Sequence, residues 1–318
     1  MPDLLRRPWL RDHLDLIGLG AVLVAILVAY QRFDDTLFTP ASVTILSAQF
    51  LPLILAAAGQ TVVMLTGGVD LSLGPVLALA MAVFALHAGD TTGGVLLAGL
   101  LSLLAAMGAG VVNGALVAYA GLPPIIVTLA ASFLWGGVTL TVLPQPGGHV
   151  PDGLVRAYNL GFNGMALPAI AIGVALVLWK VVKTTWFGKA VYAVGGNEPG
   201  AFASGINTRL VKIGGYALAG VFVGLAGIGL AIQTGSADPT IGVPYTLNSI
   251  AACVLGGISF FGGVGRMRGT LLGALVLGLL TNLLLFVGIS PFYQLVLQGV
   301  VLVVAITLKT FVTRERTA

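Results

Sequence analysis

The stretch GVLLAGLLSLLAAMGAGVVNGALVAY, residues 94–119, contains no charged side chain. A helix that crosses the hydrocarbon core of a bilayer needs about 20 consecutive, mostly apolar residues. This stretch is therefore predicted to be a transmembrane helix. On either side of it, glycine, proline and charged residues divide the chain into further apolar runs of similar length. The sequence predicts an all-α polytopic membrane protein with about ten transmembrane helices, forming a single domain over residues 1–318.

The predicted spans are the apolar runs 14–31, 43–66, 71–88, 94–119, 123–143, 164–183, 210–232, 246–261, 269–288 and 291–310. The second contains Gln49, Pro52 and Gln60, and the eighth is short and runs into glycine-rich sequence, so both are candidates for broken or re-entrant helices. Such interruptions are tolerated at membrane depth where they face protein or a wet cavity. The longest segments outside the spans, 144–163 and 233–245, either cover the mouth of a pathway or are ordinary linkers.

The basic residues predict the orientation of these spans. Alternate threading with the amino terminus inside leaves only Arg32 and Arg156 of the 15 Lys and Arg residues on the outer side. Lys and Arg are enriched in cytoplasmic loops, so both termini are predicted to be cytoplasmic. An even number of spans is needed, because one span more or fewer would move either Lys180–Lys212 or Arg266 and Arg268 outside.

Composition excludes a soluble domain, because hydrophobic residues make up 58% of the chain and charged residues 8%, with a mean hydropathy of +1.04. Soluble domains carry about 25% charged residues. The pI of about 9.4 does not indicate nucleic-acid binding, because the positive charge lies beside the spans, where it interacts with lipid headgroups. The abundant glycines are typical of helices that pack closely in lipid.

The predicted cytoplasmic segment, about 186–209, differs from the other loops because it contains its own helix signals. Asn197 can cap a helix, Glu198 and Pro199 suit its first turn, and Gly205 can end it. An isolated helix of one or two turns is marginal in water. It therefore packs either against its own membrane helices or in a groove of another protein, and the residues alone leave these two alternatives open.

The turn between the second and third spans contains Asp70, the only acid flanked on both sides by long apolar helices. An ionisable residue in such a place is a functional candidate. The alternative is structural, since Asp70 or Ser72 can cap the third helix while Gly67 and Gly68 form the turn, and cap preference alone favours that interpretation.

Other polar side chains lie within the spans, and each serves either as a contact between helices or as part of a transport pathway. They are Gln60, Asn113, Thr128, Asn248, Ser249, Thr281, Asn282 and Gln294. Convergence of several on one cavity would favour the pathway, but the sequence does not reveal convergence.

The sequence indicates neither an enzyme nor a cofactor site. Gly188-Lys189 lacks the glycine and the Ser or Thr of a phosphate-binding loop, the three histidines are scattered, and no catalytic or metal-ligating set can be assembled. An ion-coupled secondary transporter remains an alternative, although few charged residues are available for an ion relay.

Several segments together resemble the permease subunit of ribose-type bacterial sugar importers of the ABC class. They are Leu65-Thr-Gly-Gly-Val-Asp-Leu-Ser-Leu-Gly74, Leu122-Pro-Pro-Ile-Ile-Val-Thr-Leu129, Phe187-Gly-Lys-Ala-Val-Tyr-Ala-Val-Gly-Gly-Asn197, Ser204-Gly-Ile-Asn207, Asn248-Ser-Ile-Ala-Ala-Cys-Val-Leu-Gly-Gly-Ile258 and Gly262-Gly-Val-Gly265. Their order and spacing agree from about residue 40 to the end of the chain.

The resemblance implies a multi-pass protein of the bacterial inner membrane that works by alternating access. It implies three kinds of protein partner: a second permease copy or paralogue, a cytoplasmic ABC ATPase, and a periplasmic binding protein that delivers a monosaccharide or small polyol. The segment that would couple to the ATPase comprises Asn197, Glu198, Ala201, Phe202, Ser204, Gly205 and Ile206. The residues that would shape the pathway or its gate are Gln60, Thr66, Asp70, Ser72, Asn113, Thr128, Asn248 and Asn282. Permeases for nucleosides or branched-chain amino acids share the architecture and remain alternatives.

Overall fold

The computed structural model describes residues 8–33 and 35–288, together with residues 293, 296, 299 and 300. Within these residues it contains twelve α-helices, and β structure is limited to two isolated bridges. The helices are α1 (Pro8–Gln31), α2 (Pro40–Leu65), α3 (Leu73–His87), α4 (Thr92–Tyr119), α5 (Pro124–Val142), α6 (Asp152–Leu160), α7 (Leu167–Thr184), α8 (Trp186–Gly196), α9 (Glu198–Ala203), α10 (Thr208–Thr234), α11 (Val243–Leu255) and α12 (Met267–Phe286).

Six of these helices are long and apolar enough to cross a membrane, namely α2, α4, α5, α7, α10 and α12. Three shorter apolar stretches, Leu16–Gln31 in α1 together with α3 and α11, lie at other predicted spans. The all-helical, multi-span prediction is therefore confirmed. The tenth predicted span, 291–310, and the carboxyl terminus lie outside the residues that can be described continuously, so the total of about ten stays a prediction.

Helices α2, α3, α4 and α10 form the centre of the bundle, and α10 packs against each of the other three. Small residues make this packing close. A Cβ atom at Gly110 or Gly220 would overlap the backbone of the facing helix, and one at Gly59 would lie 2.9 Å from the carbonyl oxygen of Ala219. In lipid, where apolar burial between helices gains little, such backbone contact is a principal source of association.

The second predicted span is one continuous helix, so the prediction that it is a broken or re-entrant helix is wrong. α2 runs without a break from Pro40 to Leu65, with Pro52 inside it. Proline removes one helical hydrogen bond, but neighbouring helices make this tolerable in transmembrane helices. The residues around Pro52 are buried, so the surrounding helices enclose this position.

The breaks lie instead before α3 and on both sides of α11. α3 has 15 residues and α11 has 13, so each is shorter than a full crossing. Their beginnings meet, because a Cβ atom at Gly74 would overlap the carbonyl oxygen of Gly242, and the Gly74 amide donates to Thr246 Oγ1 at 3.0 Å. Ala237 pairs with Gly147, close to where the His149 amide donates to the Ala85 carbonyl near the far end of α3, whereas Gly242 lies beside Gly74 at the start of α3. Residues 237–242 therefore run along α3 before α11 begins. The eighth predicted span is thus a short helix that follows a non-helical segment, and its re-entrant course through the membrane stays a prediction.

The two ends of the bundle differ in charge. Lys180, Lys183, Lys189, Arg209, Lys212, Arg266 and Arg268 lie at the end where α7 and α11 finish and α10 and α12 begin. We call this the basic end. Arg156 lies at the opposite end, where α6 contacts the last turn of α10 through a bond from Asn159 Nδ2 to the Gln233 carbonyl. The two longest predicted outer segments meet there, with mutual backbone hydrogen bonds between Gly147 and Ala237 at 2.9 and 2.8 Å.

Candidate functional site

The short helix α9 at the basic end begins as the sequence predicts. Asn197 is its N-cap, and the Asn197 side-chain oxygen accepts a hydrogen bond from the Gly200 amide at 2.9 Å. Pro199 occupies the first turn, and Glu198 places a carboxylate at the positively polarised end of the helix.

α9 also ends as predicted, at a glycine in the left-handed region. Gly205 has φ +83°, its amide donates to the Phe202 carbonyl at 2.9 Å, and the Ile206 amide donates to the Ala201 carbonyl at 3.1 Å. These two bonds define a Schellman motif. Both ends of α9 are therefore fixed by local bonds, although the helix has only six residues.

The two faces of α9 differ in exposure. Ala201 is buried against the bundle, whereas the Phe202 side chain is 71% exposed. Glu198 forms an ion pair with Lys212 of α10 at 2.7 Å, which ties the first turn of α9 to a long membrane helix. The ion pair lies partly in solvent, so it contributes at most about 1 kcal/mol. α9 is thus a small, anchored protrusion with an aromatic side chain pointing away from its own bundle.

Helix α8, which directly precedes α9, was not predicted as a separate element. Thr185 caps it by accepting a hydrogen bond from the Gly188 amide at 3.3 Å. The Tyr192 hydroxyl donates to the Gly265 carbonyl at 3.1 Å, and Lys183 Nζ lies 5.2 Å from the centre of the same ring. Burial raises the pKa of Tyr192, against the opposing effect of Arg266, so the phenol stays protonated at neutral pH and can donate. The sequence signal that could have predicted the start of α8 is its N-cap residue, Thr185.

Glycines join α8 to two non-helical segments at the basic end. A Cβ atom at Gly195 would overlap the carbonyl oxygen of Leu65, which itself accepts a hydrogen bond from the Gly263 amide at 3.0 Å. A Cβ atom at Gly262 would lie 2.8 Å from Gly67 Cα. We call Gly67, Gly195, Gly196, Gly262 and Gly263 the glycine junction. It brings the end of α8, the segment after α2 and the loop after α11 into direct backbone contact.

Asp70 lies in the segment after α2 and is buried, with 5% of its surface exposed. Its Oδ1 atom accepts hydrogen bonds from the Ser72 amide at 2.8 Å and the Ser72 hydroxyl at 2.6 Å. Ser72 Oγ in turn accepts from Asn113 Nδ2 at 2.6 Å, and Asn113 Oδ1 accepts from Trp135 Nε1 at 2.9 Å. These four residues, which we call the Asp70 chain, link residues 70–72 to α4 and α5. Ser72 occupies the N-cap position of α3, but its side chain makes no capping bond, and Asp70 bonds to Ser72 and not to an amide of the helix, so the predicted side-chain cap is not formed.

Two further predicted residues hold the same segment through its backbone. Thr128 Oγ1 donates to the Val69 carbonyl at 3.0 Å. The Gln60 amide, oriented to satisfy its neighbours, donates to the Asp70 carbonyl and accepts from the Asp70 amide at 3.2 Å each. Thr66 is buried beside them and donates to the Val63 carbonyl. Six of the eight predicted pathway residues therefore either belong to one largely buried segment, residues 66–72, or bond to it.

A family model for the permease component of the branched-chain amino acid transport system matches residues 42–306. The chain belongs to this permease family. It is 42% identical over 263 residues to the ribose import permease of Bacillus subtilis (strain 168), covering 80% of each chain. It is 31% identical to the D-allose transport system permease of Escherichia coli (strain K12), and the match covers 94% of this chain and 93% of the relative. It is 30% identical to the galactose/methyl galactoside import permease of the same strain, and that match covers 92% of this chain and 93% of the relative. No solved structure matches the chain.

Family membership confirms the resemblance argued from the sequence motifs, and it makes this chain a transport component and not an enzyme. The matched region includes α9, the glycine junction and the Asp70 chain. In the part of this permease that the structure describes, no three His, Cys, Asp or Glu side chains are grouped as a metal site would require.

Two predicted pathway residues of the permease lie away from the Asp70 chain. Asn282 of α12 exchanges two hydrogen bonds with Gln49 of α2, each 2.9 Å long. Asn248 lies on α11, half-buried. Asn282 thus makes a contact between two helices, and a part in the pathway stays a prediction.

Sequence reasoning also missed Tyr216, which looks like an ordinary aromatic residue of an apolar helix. It is 1% exposed and lines a cavity of about 300 Å³ at the basic end. Residues 66–68, the end of α8, the start of α9 and Lys212 line the same cavity. A Cβ atom at Gly68 would lie 2.8 Å from Tyr216 Oη, so this ring closes the cavity against the segment that holds Asp70.

Proposed function

We propose that the chain is the membrane-spanning subunit of an ATP-driven importer for a monosaccharide. The observation that carries this proposal is its similarity, over most of its length, to permeases named for ribose, allose and galactose. In this account the hydrolysing subunit is a separate cytoplasmic ABC ATPase, and a periplasmic binding protein delivers the sugar. Two permease copies, identical or paralogous, form the pathway in the bacterial inner membrane.

The basic end faces the cytoplasm in this proposal, because Lys and Arg are enriched there, and both termini lie on that side. α9 then occupies a groove of the ATPase. A short helix that presents an aromatic anchor to a groove is a common mode of recognition. Phe202, 71% exposed, is the anchor, and Asn197, Glu198, Ala201, Ser204, Gly205 and Ile206 shape and fix the helix that presents it.

Movement of the ATPase reaches the membrane through contacts on either side of α9. The Glu198–Lys212 ion pair connects α9 to α10, and the glycine junction connects α8 to residues 66–72 and to the loop after α11. Both α3 and α11 begin at breaks, so their neighbouring segments can rotate without bending a continuous helix. Closure of the ATPase halves on ATP would thus change the exposure of the pathway to each side of the membrane.

Residues 66–72 are the gate in this proposal, and Gln60, Thr66, Asp70, Ser72, Asn113 and Thr128 hold its shape. Their mutual hydrogen bonds favour a role in fixing the segment over a role in binding sugar. Asn248 remains a candidate for lining the pathway. Asn282 holds α12 to α2 in this proposal, because it pairs with Gln49. High affinity for sugar then resides in the binding protein and not in this chain.

Reconstitution tests the proposed function. Proteoliposomes would contain the permease, the ATPase and the binding protein encoded nearest to it, and uptake of radiolabelled ribose, allose, galactose, adenosine and leucine would be compared. We expect ATP-dependent uptake of at least one monosaccharide and none of leucine or adenosine.

The same experiment examines the alternatives. The name of the matched family favours branched-chain amino acids as a second substrate class, and uptake of leucine alone would support it. Sugar uptake by the permease without ATPase, driven by a sodium or proton gradient, would support the ion-coupled secondary transporter and contradict the importer.

A further inference from the structure

The loop between α11 and α12 exposes an aromatic residue at the basic end. Phe261 is 91% exposed, and Val264 in the same loop is 64% exposed. The Ser259 amide donates to the Val264 carbonyl at 3.0 Å, and the Phe261 amide donates to Ser259 Oγ at 3.1 Å. These bonds close a tight turn with Phe261 at its tip.

This turn is held firmly to the rest of the basic end. Gly262 and Gly263 have φ +87° and +67°, a conformation that favours glycine. The Gly263 amide is bonded to the Leu65 carbonyl, and the Gly265 carbonyl accepts from the Tyr192 hydroxyl. Phe261 is therefore carried by the glycine junction, at a fixed position relative to α8.

Phe261 lies beside α9, because it lines the same 300 Å³ cavity as Asn197, Glu198 and Lys212. A groove of about 1,010 Å³ is lined by Phe202, Ile206 and Arg209, and it shares Glu198 and Lys212 with that cavity. Arg266 and Arg268, next to the loop, are exposed. The surface around α9 thus has two exposed aromatic side chains with basic residues around them.

We infer that Phe261 is a second anchor for the cytoplasmic ATPase, a proposal that rests on the function proposed above. Two features favour a protein partner. Phe261 is continuous with the α9 surface, and a rigidly held aromatic residue loses little conformational freedom on binding. Its attachment to the glycine junction would let the ATPase act on residues 66–72 and on the loop after α11, besides α9. The arginines favour an acidic surface on the ATPase opposite this loop.

Cysteine protection tests this contact. Cys253, the only native cysteine, is fully buried, so the unmodified permease provides the background. Phe261→Cys, Phe202→Cys and Phe38→Cys would each be purified in lipid nanodiscs and treated with a polar maleimide, with and without the ATPase. Phe38 is 69% exposed near the start of α2, at the opposite end of the bundle, and serves as the control.

We expect the ATPase, at about ten times the Kd measured for each variant, to slow labelling at 261 and 202 by about tenfold and to leave 38 unchanged. Protection at 202 without protection at 261 would overturn the second anchor and leave the proposed function intact. No protection at either position would overturn both. If labelling at 261 without ATPase is slow in nanodiscs and fast in detergent, the side chain contacts lipid and the second anchor is overturned. If labelling slows as the permease concentration rises, without ATPase, the side chain contacts a second permease copy and the second anchor is likewise overturned.

Phe261→Asp provides a measurement that needs no thiol. Loss of an aromatic anchor is expected to weaken ATPase binding to the detergent-solubilised permease by about tenfold, while Phe38→Asp leaves it unchanged. Monodisperse elution of both variants would show that they fold. Unchanged affinity in a folded Phe261→Asp variant would contradict the proposal.

Discussion

Asp70 is the buried acid that the sequence singles out, and its surroundings explain why it can stay in the bundle. Both hydrogen bonds that its carboxylate accepts from Ser72 end on one oxygen, Oδ1. Asparagine also offers one side-chain oxygen and can occupy the same turn. The geometry therefore requires a hydrogen-bond acceptor at position 70, and either aspartate or asparagine supplies one.

Asp70→Asn is accordingly expected to fold and to retain transport, whereas Asp70→Ala leaves the Ser72 groups without their acceptor. Each buried group left without a partner costs about 1–3 kcal/mol. Thermal unfolding of the purified variants and sugar uptake in proteoliposomes would be measured together. A folded Asp70→Asn variant without uptake would show that the negative charge itself takes part in transport.

The sequence predicted that Asp70 or Ser72 would cap α3, but the structure shows no side-chain cap; Asp70 accepts its bonds from Ser72, two residues further on, in a local turn. The sequence did not predict that Asn113 and Trp135 would extend the turn into a chain of hydrogen bonds. These residues lie on α4 and α5, and their meeting depends on how the helices pack. For the same reason Tyr216 was missed, since only its place beside Gly68 distinguishes it from other apolar-helix aromatics.

At the scale of helices, α9 was predicted from end to end and α8 was not. Both ends of α9 are determined by Asn197 and Gly205, whose effects act over three or four residues. The continuity of α2 across Pro52 could not be read from the sequence, because it depends on the helices that enclose this position. The early start of α11 depends likewise on the approach of Gly242 to Gly74.

The glycine junction yields a prediction with a matched control. A Cβ atom at Gly195 would overlap the Leu65 carbonyl oxygen, whereas at Gly196 it would meet nothing within 4 Å. Gly195→Ala should therefore separate α8 from the end of α2, where residues 66–72 begin, and lower the yield of sugar transported per ATP, while Gly196→Ala should not. Hydrolysis and uptake would be measured on both variants in the complete importer. Equal coupling in the two would contradict the role assigned to the junction.

At the scale of the whole molecule, the charge pattern, the fold and the family agree on a multi-pass permease. Basic residues gather at one end of the bundle. Two short apolar helices, α3 and α11, begin inside the bundle. The same end holds α9, the glycine junction and Phe261, so the parts proposed to receive the ATPase lie where the positive charge predicts the cytoplasm. The sugar was not predicted beyond its class, because the polar residues that converge are occupied with one another.

The most direct test of this account replaces the exposed aromatic of α9 in the complete importer. Phe202→Asp should abolish sugar uptake and leave the membrane domain folded, because a charged side chain cannot occupy an apolar groove without a large desolvation cost. Phe202→Leu, which keeps an apolar side chain, should retain uptake. The measurement is ATP hydrolysis and sugar uptake in the same proteoliposomes. We predict hydrolysis that no longer drives uptake in the Asp variant, and full uptake by that variant would contradict the account.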